Sequence, residues 1–152
     1  MLTIHNTMSG MKEAFKPLIP GQVGMYVCGV TVYAECHLGH ARSAIVFDTI
    51  RRHLQHREFA VNYVRNFTDV DDKIIRRAAE NNEEPMVLAE RYIRSFQEDT
   101  EGLGLLKPDH EPRVSESIDS IISMIKKLIK NGHAYVSEGS AWFQVKSFDQ
   151  YG

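Results

Sequence analysis

The sequence predicts an α/β fold, a parallel sheet with flanking helices, and three observations carry that prediction. Residues 24–30 form a short run rich in β-branched and aromatic side chains with glycine near both ends, residues 39–55 carry apolar side chains at helical spacing, and residues 59–64 return to strand-like composition. A strand, a helix and a strand in that order make a right-handed βαβ crossover, the usual way of joining parallel strands.

The elements follow in chain order. Gly24-Met25-Tyr26-Val27-Cys28-Gly29-Val30 favours a short, largely buried strand, and a further strand is expected near residues 2–5. Ala41, Ala44, Ile45, Phe47, Ile50 and Leu54 spread widely around a helix axis, which predicts a helix covered on more than one side. Asp71-Asp72 opens a helix reaching Asn81-Asn82, its acids complementing the positive helix end. Pro85 starts another that runs to about Gly102, where Gly102, Gly104 and Pro108 end it. From Ser115 the pattern is cleanest: Ile118, Ile121, Ile122, Ile125, Leu128 and Ile129 follow steps of three and four. Ser115 is the expected cap, Lys126, Lys127 and Lys130 gather near the end, and Asn131-Gly132 supplies the left-handed stop. Residues 133–136 and 141–145 read as a short strand pair.

With 152 residues and 17.4 kDa the chain has room for one domain, or one plus a fragment, so a multidomain machine is excluded. Ordinary globular composition (43% hydrophobic, 25% charged) excludes wholesale disorder. A formal charge of −2 demands no nucleic acid, and any phosphate contact must come from local clusters such as Arg51, Arg52 and Arg57. The two cysteines, Cys28 and Cys36, are too few and too close for a disulfide framework and point to a reducing, cytoplasmic compartment. No apolar run is long enough to span a membrane, so a soluble protein without a membrane partner is expected. Two clear parallel strands make a thin core for a finished doubly wound domain, so the chain is expected to be incomplete.

The densest chemistry lies in residues 28–40, between a strand end and a helix start, where ligand sites in open α/β sheets sit. His37 and His40 are three apart with Gly39 between them, so the backbone can approach a ligand while both imidazoles project from the helix's positive end. That arrangement suits a polyphosphate, with the histidines as donors rather than bases, although spacing alone favours a surface cap or a satisfied polar pair. Cys28, Cys36, His37 and His40 are all zinc-ligand types, but their spacing matches no compact finger. Cys28 is left either as one ligand of a longer-range site or as a small residue at a strand end. Residues 65–73 follow the second strand and therefore reach the same sheet edge. There Thr68 can hydrogen-bond a substrate, and Asp69, Asp71 and Asp72 can hold an amino group or cap the next helix. Neither common glycine-rich nucleotide loop is present.

Four segments occur in a telling order: residues 25–33 (Met-Tyr-Val-Cys-Gly-Val-Thr-Val-Tyr), His37-Leu38-Gly39-His40, residues 63–74 (Tyr-Val-Arg-Asn-Phe-Thr-Asp-Val-Asp-Asp-Lys-Ile) and Gly132-His133-Ala134-Tyr135. Together they resemble the N-terminal part of the cysteinyl-tRNA synthetase family, class I aminoacyl-tRNA synthetases. The resemblance implies the first part of that class's Rossmann-like nucleotide-binding fold in residues 1–114, with residues 115–152 as the start of the connective insertion. It implies cysteine activation by ATP with Mg²⁺, then transfer to tRNA-Cys by the full-length protein. His37 and His40 become the catalytic pair and, with Gly39, the ATP-binding motif. Gly29, Thr31 and Thr68 line the cysteine pocket, and Cys28 is a Zn²⁺ ligand. The other zinc ligands and the Lys-Met-Ser-Lys-Ser loop fall beyond residue 152, so the chain alone is expected to be inactive. Two relatives by function stay open: the cysteine ligase of mycothiol synthesis, against which Lys73 after the paired acids speaks, and a non-catalytic paralogue acting as a binding module.

Overall fold

The structure, a computed structural model, describes residues 2–151, and it divides into two units between Glu111 and Pro112. The first unit opens with a hairpin of β1 (Thr3–Asn6) and β2 (Met11–Ala14), paired antiparallel. The strand expected near residues 2–5 therefore exists but lies outside the parallel sheet, because its partner is the next segment along the chain.

The sheet itself is β3 (Gln22–Val27) beside β4 (Ala60–Arg65), parallel and in register from Gln22↔Ala60 to Val27↔Arg65. Helix α1 (Leu38–His56) makes the crossover between them. Its buried residues are Ala44, Asp48, Arg51 and Leu54, whereas Ile45, Val46 and Ile50 are exposed. The apolar pattern had predicted cover on more than one side; the inward face instead carries two charged residues with partners far along the chain. Arg51 donates to the Lys107 carbonyl (2.8 Å) and to both carboxylate oxygens of Asp109 (3.1 and 3.2 Å). Asp48 accepts from the Leu106 amide (3.0 Å) and from Arg52 (2.6 Å).

These polar pins tie residues 104–109 to α1 and bring Asp109 and His110 to the free edge of β4. The Asp109 amide donates to the Tyr63 carbonyl (2.9 Å), the Arg65 amide donates to the His110 carbonyl (3.0 Å), and Asp109 Oδ2 accepts from the Tyr63 amide (2.7 Å). A single parallel bridge, Val64↔His110, thus occupies a third strand position that no β-like composition announces. β4 becomes central, which suits a strand whose Tyr63 and Arg65 are both buried.

Helices α2 (Asp72–Asn81) and α3 (Pro85–Gly102) fill the second crossover. The core lies here: Phe67 and Val32 pack with Ile74 and Ala78 of α2 and Leu88, Ala89, Ile93 and Phe96 of α3, with Phe67 and Phe96 edge to face at 5.8 Å. Asp71 caps α2 by accepting from the Lys73 amide (2.8 Å), and Asn82 ends it in the left-handed conformation.

In the second unit a 3-10 turn at Ser115–Ser117 leads into α4 (Ile118–Lys130), followed by the antiparallel pair β5 (Ala134–Ser137) and β6 (Ser140–Phe143). Ser115 is not the cap expected of it. The N-cap position falls to Ser117, whose hydroxyl donates back to the Arg113 carbonyl (2.8 Å) and makes no capping bond, because the extra turn precedes the helix. None of the residues of α4 is fully buried.

Candidate active site

The parallel ladder breaks at Val27 and Arg65 and resumes at Thr31↔Thr68, where the Thr68 amide donates to the Val30 carbonyl (3.1 Å). Asn66 spans the gap. Its Oδ1 accepts from the Gly29 amide (2.9 Å) and from the Tyr26 hydroxyl (2.9 Å), and its Nδ2 lies 3.4 Å from Thr68 Oγ1. The main chain of Asn66 also presses on Gly29, since a Cβ added there would sit 1.5 Å from the Asn66 carbonyl oxygen. Glycine is required because backbone meets backbone, and Gly29→Ala would force the two strand ends apart. Asn66 carried no assigned role in the sequence; an amide side chain directly after a strand, facing a glycine on its neighbour, is the signal that could have found it.

Helix α1 starts with a reciprocal cap. His37 is the N-cap in extended conformation; its Nδ1 accepts from the Gly39 amide (3.1 Å), while the His37 amide donates to His40 Nδ1 (3.4 Å). The rings stack with centroids 3.9 Å apart. A Cβ at Gly39 would meet His37 Cε1 at 2.8 Å, so the glycine is what lets the ring fold back over the helix start. With each Nδ1 accepting, the proton of each neutral ring sits on Nε2, which leaves two donors at the positive end of α1. Burial, reinforced by the neighbouring His37, holds His40 below the usual histidine range, which keeps it neutral. The cap and the donor pair are therefore one arrangement rather than rival readings.

A cavity of about 270 Å³ opens beside these elements, lined among others by Cys28, Gly29, Thr31, Tyr33, His40 and Lys73. Of the residues singled out in the sequence it gathers Cys28, Gly29, Thr31 and His40. Thr68 pairs with Thr31 without lining it, and His37 and Gly39 lie at the helix start beside it. Arg65 also reaches the cavity, but its charge is taken by Glu111 (2.7 Å, both side chains about nine-tenths buried) and its guanidinium lies over the Phe96 ring. Asp71 is a helix cap and Asp69 is buried at 1% exposure.

The donors present decide whether these residues suit a metal. Cys28 is exposed, with its thiol 3.7 Å from the Gly29 carbonyl. Cys36 packs against the core, and burial, then Asp99 and Glu35, pushes its thiol up to about 11, so it is no thiolate at neutral pH. Among the described residues no group of three or more His, Cys, Asp or Glu is arranged to hold a metal ion. These residues do not fit a zinc site by themselves, and Cys28 offers a single sulfur toward one.

The model of the family described as tRNA synthetases class I (C) catalytic domain matches residues 14–152. Cysteine--tRNA ligase of Alkalilimnicola ehrlichii is 55% identical over 100% of this chain and 33% of that protein, and the ligase of Methylococcus capsulatus is 56% identical with the same coverage. The chain belongs to the class I cysteinyl-tRNA synthetase family. It spans about a third of the length of the curated relatives it matches. Solved class I synthetases share the fold of this family member. Methionyl-tRNA synthetase of Mycobacterium tuberculosis, in complex with methionyl-adenylate, superposes with a TM-score of 0.67 at 22% identity, covering 74% of this chain and 23% of that one. A putative arginyl synthetase of Campylobacter jejuni gives 0.63 at 15% identity, covering 87% and 39%. The expected family stands on the family model and the curated relatives, and the expected class I fold on the solved structures as well. In this cysteinyl-tRNA synthetase family member no helix is long and apolar enough to cross a membrane among the described residues.

Proposed function

We propose that this chain carries the part of a cysteine–tRNA ligase that binds cysteine and ATP in the cytoplasm. The reaction it serves is attack of the cysteine carboxylate on the α-phosphorus of Mg²⁺-bound ATP, which expels pyrophosphate and leaves cysteinyl-adenylate for transfer to tRNA-Cys. The observation that carries the reading is the meeting, at one cavity, of the Cys28–Thr31 strand end with His40, whose ring stacks on that of His37 at the start of α1. His37 and His40 hold Nε2 protons where negative charge develops on the α-phosphate and the leaving pyrophosphate. No proton needs to leave either ring, so stabilisation is electrostatic and in place before reaction. Gly29 and Thr31 shape the amino-acid end, with Thr68 holding Thr31 in register from the adjoining segment. Residues 115–152 are assigned to the connective insertion on the family's pattern.

Calorimetric titration of the chain with Mg-ATP tests the assignment. Saturable binding is expected, weakened about tenfold or more in the double variant His37→Ala/His40→Ala, because two donors to a charged phosphate are lost. Binding that is indifferent to both histidines overturns it. Cysteine-dependent ATP–pyrophosphate exchange by the chain alone is expected to be absent, and exchange at enzymatic rates would show that nothing beyond these residues is needed.

A further inference from the structure

Lys73 breaks a local rule. It occupies the second position of α2, one residue after Asp72, where the helix end is already positive and a cation is unfavourable. Its amide is used in the Asp71 cap, but its side chain pairs with neither neighbouring acid, and among the described residues it forms no ion pair. The ammonium instead lies 5.5 Å from the centre of the Tyr33 ring, on the wall of the cavity that also holds Cys28, Thr31 and His40. A ring face steers a cation without neutralising it. The other cation at this cavity, Arg65, is buried against Glu111 and has its charge matched. Lys73 is thus a cavity-lining cation with no ion pair among the described residues, held in an unfavourable place by an aromatic rest. Local violations of this kind are found where function asks for them.

We propose that Lys73 binds an anionic oxygen of the substrate. The inference rests on the adenylation reading above and deepens it. The shared chemistry is a carboxylate or phosphate oxygen meeting an ammonium, and the source is either the carboxylate of the amino acid or a phosphate of the nucleotide. Either would place the lysine near the bond being made, opposite the imidazole donors of α1 in chemical role: a point charge gathers the anion, and the directed N–H groups orient it.

The test is a titration of the 152-residue chain, wild type, Lys73→Met and Lys73→Arg, with four probes: Mg-ATP, adenosine, cysteine and cysteamine. Methionine keeps the length and apolar stem of lysine, and relieving a cation at a helix N-terminus leaves the melting temperature unchanged or raises it. The expected result is a Kd about tenfold weaker in Lys73→Met for the anionic probe that Lys73 holds, with its anion-free analogue unaffected and Lys73→Arg restoring most of the loss. Weakening confined to Mg-ATP assigns a phosphate, and weakening confined to cysteine assigns the carboxylate. Unchanged affinity for both anionic probes overturns the proposal. Equal weakening of adenosine or cysteamine, or a melting temperature that falls together with affinity, also overturns it by showing a structural role. If the wild-type chain binds none of the four, the adenylation reading itself fails, and this inference falls with it. That result is distinguishable because it appears before any substitution is made.

Discussion

Helices α1 and α4 were both predicted from apolar periodicity, and they use it in opposite ways. α4 carries the cleaner stripe yet none of its residues is fully buried, whereas α1 buries Ala44, Asp48, Arg51 and Leu54 and leaves Ile45, Val46 and Ile50 outside. The difference teaches that a stripe reports how apolar residues are segregated on a helix, while burial depends on what the rest of the chain brings to it. For α1 that is the loop at residues 104–110, which arrives with a carboxylate and backbone carbonyls and finds Arg51 and Arg52 to receive it.

The comparison can be broken most severely at Arg51. Arg51→Met leaves the Lys107 carbonyl and the Asp109 carboxylate without their donor, and a loss of about 3 kcal/mol is expected in urea unfolding, toward the low end for buried pairs because Asp109 is 39% exposed. A loss below about 1 kcal/mol would mean that the apolar neighbours alone hold α1. On the other side, Ile122→Ala in α4, at a residue 43% exposed, is expected to cost only about 1 kcal/mol or less by the same measurement. A cost near that of a core truncation, about 3 kcal/mol, would show that the stripe is packed after all.

The smallest expected effect is a pH dependence that separates the two helices. His40 has a depressed folded-state pKa, so between that value and the unfolded value of about 6.5 the unfolded chain binds more protons. Its contribution is fully present above about 6.5 and is lost as pH falls through the folded value. The protection factors of the Leu38 and Gly39 amides, exchange rates corrected for the intrinsic pH dependence, should therefore fall on acidification from pH 7 to 5, while those of α4, which contains no histidine, should not follow. Uniform loss of protection in both helices would detach the effect from His40.

What was legible in the sequence is what local pattern determines. β3, α1, β4, α2, α3, α4 and the β5–β6 pair lie close to where composition and spacing place them, and the motif residues Cys28, Gly29, Thr31 and His40 share a cavity because strand ends and a helix start meet at one sheet edge. Less legible was whatever depends on a distant partner. Arg51 and Asp109 are 58 residues apart, and His110 becomes a strand neighbour only because those pins set it there. Asn66 escaped notice for the same reason: its contacts with Tyr26 and Gly29 arise only once β3 and β4 are side by side. The misassigned cap at Ser115 is a smaller failure, a one-turn slip where a 3-10 turn precedes the helix.

One consequence follows from β4 having both edges filled while β3, among the described residues, pairs on one side only. Apart from the Gln22 amide, which donates to the Ile19 carbonyl (3.0 Å), the outward N–H and C=O groups of β3 face no partner strand among the described residues and offer a short edge to an extended backbone. Such an edge is adhesive: at high concentration it invites strand addition between molecules, which a net charge of only −2 does little to oppose.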